Sequence, residues 1–129
     1  MQYKNIQLQS IIQHFTHQRS KVLLHILLHF ALPLLLAIVI WRRRWLHSFL
    51  WMLAAFVIDL DHLLADPIYD PERCSIGFHP LHSTYAVVFY IVVLFSTFLW
   101  PSPLWRQRGQ LILLGIGVHL FLDTLDCFF

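Results

Sequence analysis

The chain has 129 residues, 58% of them hydrophobic and only 12% charged, with a mean hydropathy of +0.64. A soluble domain carries about a quarter charged residues, so this composition points away from an ordinary soluble fold and toward a single membrane domain. The net charge of +2, with histidine neutral, is too small to suggest a nucleic-acid partner, and no nucleic-acid-binding motif is present.

The expected architecture is all-α: a polytopic membrane protein built as a bundle of four transmembrane helices, preceded by an N-terminal amphipathic interfacial helix. Residues 1–21 form the interfacial segment and 22–129 the transmembrane domain. In the first segment Leu8, Ile11, Ile12 and Phe15 recur at helical spacing among Gln and His, the pattern of a helix lying on a membrane surface. Met1 to Ser20 is otherwise polar, with no early apolar core of a cleaved signal, so the first apolar run is expected to act as a signal-anchor.

About twenty apolar residues cross a bilayer as a helix. Val22–Trp41 is the first such run, with Pro33 inside it, a residue membrane helices tolerate. Trp45–Ala65 is the second, Ser83–Trp100 the third and Gln110–Phe128 the fourth. Four crossings put "RRR" and "WRQRG" on the side opposite the N-terminus. Trp41, Trp45, Trp100 and Trp105 then fall together on that side as an interfacial belt. The loop from Asp66 to Pro80, with a solvated turn at Asp70, Pro71 and Glu72, lies on the N-terminal side.

The same reckoning gathers the ionisable residues on the N-terminal side. His25 and His29 come early in the first span. Asp59, Asp61 and His62 close the second, His79 and His82 precede the third, and His119, Asp123 and Asp126 close the fourth. His29, Asp59 and His119 should lie roughly 10 Å below the surface at about 1.5 Å rise per residue. Carboxylates at helix centres in a membrane cost about 2.5–3.5 kcal/mol each, less near the interface. They call either for pairing with histidine or for a bound cation, whose charge reverses the local electrostatics.

Spacing favours the cation. Asp59 and His62 are i,i+3; His25 and His29 are i,i+4, as are His119 and Asp123, so each pair shares a helical face. Such pairs on facing helices chelate metals in bundles. The expected ligands are His29, Asp59, His62, His82, His119 and Asp123. His25 reads as an interfacial histidine. Asp61 points roughly 200° away from Asp59 on a regular helix. It joins the site only if the helix loosens, or else it orients a ligand from behind. Asp61 and His79 are the candidates for a general base. The ligands would hold one or two divalent metals; mixed His/carboxylate ligation suits zinc first, with manganese or iron as alternatives, especially for a pair.

At "DLDH", "HPLHS" and "HLFLD" the sequence resembles the predicted membrane-bound, metal-dependent hydrolases of bacteria. It is most similar to a small four-span group of unknown function carrying "IDLDHLLADPIYDPERCSIGFHPLHS". The resemblance spans roughly residues 22 to 127. It implies functional positions at His29, Asp59, Asp61, His62, His79, His82, Ser83, His119 and Asp123. Ile58 stands where the larger group carries Pro, and His79 and His82 are closer together than its central histidines.

These features imply an integral-membrane hydrolase acting on an amphiphile such as a phospholipid or lipid-linked phosphate, with Arg73 available to a phosphate. A non-catalytic subunit, using a structural metal or an Asp–His network to bind a partner membrane protein, is the alternative. Five arginines on the opposite side, against Lys4, Arg19, Lys21 and Arg73 near the site, set the expected orientation. The site would face the periplasmic side of a bacterial cytoplasmic membrane, where Cys74 and Cys127 can pair.

Overall fold

The computed structural model describes residues 2–66 and 73–128, with side chains absent from the description at 2–6, 8 and 10. The expected turn at Asp70, Pro71 and Glu72, and the Leu8 contribution to an amphipathic face, lie outside the described residues. Among the described residues every regular element is helical. Helix α1 runs Gln2–Ile40, α2 Trp45–Leu53, α3 Thr84–Thr97 and α4 Pro103–Asp126. A 3₁₀ segment, Ala54–Leu64, continues α2, and a short 3₁₀ turn, Pro80–His82, precedes α3.

Three stretches are long and apolar enough to cross a membrane: Ile11–Ile40, Trp45–Leu64 and Pro103–Asp126. The 14 residues of α3 are as apolar, with Tyr85, Phe89 and Phe95 outward-facing. At about 1.5 Å per residue they rise only about 21 Å, short of a hydrocarbon core about 30 Å thick.

The first segment differs in form from the sequence expectation. No Gly or Pro separates Ser20 from Val22, so α1 continues from the polar N-terminal stretch into the first span without a break. Ile11, Ile12 and Phe15 are exposed along it.

Helix α4 is the hub, packed against α1, α2, the 3₁₀ segment and α3. One apolar cluster joins Met52 to Leu111, Val118 and Leu122; a second joins Ala55 and Ile58 to Ile116 and Leu120. The approach of α4 to α2 depends on Gly115. A Cβ there would come within 2.9 Å of the Met52 Cα and carbonyl carbon, closer than such atoms approach. Small residues at helix crossings serve this purpose in membranes.

The ends of the bundle differ in chemistry. At the N-terminus of α4 the Arg108 guanidinium lies over the Trp51 and Trp105 rings at 5.1 and 4.9 Å, and Arg106 donates to the Trp100 carbonyl at 2.7 Å. At the other end a disulfide joins Cys74 to Cys127, with the Cα atoms 5.0 Å apart. It pins the loop after the 3₁₀ segment to the end of α4.

Candidate metal centre

The last two turns of α4 project His119 and Asp123 onto one face, as i,i+4 spacing requires. Both are buried, with 4% of each exposed. The 3₁₀ segment brings Asp59 to the same place. In a three-residue turn, residues i and i+3 eclipse, so Asp59 and His62 stand directly above one another. The third contribution comes from the turn before α3. Gly77, at φ 83°, takes the positive-φ conformation that residues with a Cβ avoid. Its N–H donates to the His82 carbonyl at 3.1 Å, closing the turn that carries His79 and His82. Ser83 then caps α3, accepting from the Ala86 N–H at 3.3 Å. That contact accounts for Ser83 structurally.

Four ligand-type atoms converge where these elements meet. His119 Nε2 lies 2.9 Å from Asp59 Oδ1 and 3.3 Å from Asp123 Oδ2; His82 Nε2 lies 3.2 Å from Asp123 Oδ2 and 3.5 Å from Asp59 Oδ1. A tetrahedral cation with ligand bonds of 2.0–2.1 Å has neighbouring ligand atoms about 3.3–3.4 Å apart. The observed spacings bracket that value.

Hydrogen bonding makes the same point. His82 Nδ1 faces Asp61 Oδ2 at 3.2 Å and donates to it, since an ionised carboxylate only accepts. A neutral His82 then presents a lone pair at Nε2 to two carboxylates. Both His82 Nε2 and Asp123 Oδ2 are buried without a hydrogen-bond partner. Acceptors facing one another in a buried space need a cation between them, either a proton or a metal.

Asp61 is therefore held apart from the four. It accepts from the Leu81 N–H at 2.7 Å as well as from His82, and its Oδ1 lies 3.2 Å from His62 Nδ1. His62 leans outward, its Nε2 3.2 Å from Ser75 Oγ and its ring stacked on His79 at 3.8 Å. Asp61, His62 and His79 form their own group capable of holding an ion. Burial and the neighbouring His62 push the His79 imidazole below its ordinary pKa, so it stays neutral at pH 7. Burial pushes His82 down too, but the carboxylates of Asp123, Asp59 and Asp61 outweigh it and raise its imidazole to about 10.

On the far side of Asp123 sits the α1 pair. His29 Nε2 is 3.2 Å and His25 Nε2 3.4 Å from Asp123 Oδ1. His25 is thus part of the constellation, contrary to its reading as an interfacial histidine; its i,i+4 relation to His29 was the available signal. Ser75 also belongs to the surroundings of His62, and nothing in its loop sequence marked it. All eight residues expected in the site, from His29 to Asp123, come together at this end of the bundle. Arg73 instead reaches the Asp66 carbonyl at 3.5 Å and lies over Phe78.

The class defined so far is an all-helical membrane-type protein with buried His/Asp groups able to hold metal ions. Within that class the chain belongs to a family of unknown function (DUF6122), whose profile matches residues 19–129. Comparison with curated proteins and with solved structures returned no match.

Proposed function

We propose that this protein is an integral-membrane, metal-dependent hydrolase, with α3 completing a four-span bundle, whose centre is held by Asp59, His82, His119 and Asp123. The observation that carries the reading is the pair of buried, unpartnered atoms His82 Nε2 and Asp123 Oδ2, set at ligand spacing from Asp59 and His119. Zinc fits this donor set best, with manganese or iron as alternatives.

A structural site is closed by protein on all sides, whereas a catalytic one keeps an approach. The Asp59 side chain is 38% exposed and that of His62 27%, so one flank of the cluster is open. A divalent cation bound here would acidify water and polarise a scissile bond. Asp61 orients His82. His79, neutral and not among the four ligands, serves as proton acceptor. The depth of the site beneath a greasy surface suits an amphiphile, a phospholipid or a lipid-linked phosphate. The arginine-rich opposite end and the disulfide beside the site support an orientation toward the periplasmic face of a bacterial cytoplasmic membrane.

Elemental analysis of the purified protein, beside Asp59→Ala and His119→Ala, tests the centre. Metal in the native chain and loss in both variants is the expected result. Metal-free native protein sinks the reading and leaves an Asp–His network. Zinc-loaded protein that leaves a panel of lipid phosphoesters intact, while still binding metal, removes the hydrolase and keeps a structural metal.

A further inference from the structure

We infer that Asp123 bridges two cations, the second held by His25 and His29 of α1. The inference rests on the first position proposed above and extends it by assigning His25, which the sequence reading set aside, together with His29 to a position of their own. Asp123 uses its oxygens separately. Oδ2 faces His82 and His119 at 3.2 and 3.3 Å, while Oδ1 faces His29 and His25 at 3.2 and 3.4 Å. Inward-facing carboxylates and histidines from neighbouring helices hold metal pairs in helical bundles, and a carboxylate divided in this way has one oxygen for each.

The α1 histidines are backed as ligands are. His29 Nδ1–H donates to the His25 carbonyl at 2.9 Å, which orients the ring with Nε2 pointing inward. That Nε2 is buried, has no hydrogen-bond partner, and belongs to a side chain only 4% exposed. With that nitrogen unprotonated, two acceptors stand 3.2 Å apart, His29 Nε2 and Asp123 Oδ1, a repulsive pairing that a proton or a metal ion between them relieves. His25 also turns its Nε2 to Asp123, while its Nδ1 lies 3.7 Å from Asp126 Oδ2, near enough for electrostatic attraction but beyond hydrogen-bond distance. Pro33 adds to the local arrangement. It has no N–H to offer the His29 carbonyl four residues earlier, so the α1 ladder is interrupted at the ligand turn.

Two metals in such sites stand about 3.5–4 Å apart and grip both the entering and leaving oxygens of a phosphoester. A second position is thus compatible with the phosphoester substrate proposed above.

The test is zinc titration of the full-length native protein in detergent, followed by elemental analysis after desalting. The expected result is two equivalents for the native chain and one for His25→Ala or His29→Gln. Native protein saturating at one equivalent, itself lost in Asp59→Ala, overturns the second position and leaves the first intact. Native protein that binds none removes both. Cobalt(II) loading needs no variant: two ions sharing Asp123 couple magnetically, so the electron-paramagnetic signal per cobalt falls between one and two equivalents. A signal proportional to cobalt throughout overturns the bridge.

Discussion

Asp61 holds His82 from behind: its Oδ2 lies 3.2 Å from Nδ1 of that ring, whose Nε2 looks the other way toward Asp123 and Asp59. The two ring nitrogens are thereby given different tasks, one to an orienting carboxylate and one to the centre. Asp61→Asn keeps the shape and the acceptor for the Leu81 N–H but weakens this hold. Zinc affinity should fall about 10–100-fold, the usual effect of removing such a partner, without loss of the stoichiometry. Competition against a chelator of known affinity measures it, and unchanged affinity would show that Asp61 does not position His82.

The pH dependence follows from His82. Its imidazole is raised from 6.5 to about 10 in the metal-free protein, so the bound proton stabilises the fold. That contribution is complete below 6.5 and is lost as pH rises through about 10. A metal must displace the same proton. Zinc affinity, measured in metal buffers between pH 7 and 9, should therefore climb by about tenfold per pH unit for each proton released. The thermal midpoint of stripped protein should fall over the same range. A flat affinity profile would exclude proton displacement from His82.

Gly115 and Gly117 offer a paired experiment on the packing beneath the centre. Gly115→Ala pushes a Cβ into the Met52 backbone, whereas Gly117→Ala meets nothing within 4 Å. The first should cost about 1–3 kcal/mol, and the second should be neutral or gain up to about 1 kcal/mol from helix propensity. Thermal unfolding in detergent separates them. Since His119 lies one turn beyond Gly115, the first variant should also bind zinc more weakly.

Reduction of the Cys74–Cys127 disulfide opens a link spanning 53 residues. Removing such a cross-link costs on the order of 2–4 kcal/mol. Cys74→Ser should lower the thermal midpoint, and reductant should have no further effect on that variant. Zinc retained at full stoichiometry in the variant would show that the cross-link stabilises the fold without being required for ligation.

The placement of polar residues at one end of the spans was legible in sequence because helical rise converts residue number into depth. That reckoning brought Asp59, His119 and Asp123 together without any knowledge of packing. What escaped it were matters of rotation and loop path. His25 lies near a helix end where imidazoles are common, and only the packing of α1 against α4 turns it toward Asp123. For Asp61 the sequence left two roles open, and the structure sets it behind His82, while Ser75 reaches His62 through a loop whose course no periodicity encodes. The continuity of α1 escaped for the opposite reason. Polarity marks where a membrane begins, but the backbone ends only where a residue breaks it.

The tightened winding of Ala54–Leu64 also changes reach. A 3₁₀ turn advances about 2.0 Å per residue instead of 1.5 Å, so its 11 residues extend about 5 Å farther than an α-helix of that length. Asp59, Asp61 and His62 are thus spaced farther along the axis than α-helical winding would set them. A stretch that begins as an α-helix ends by spreading its polar side chains over a longer path.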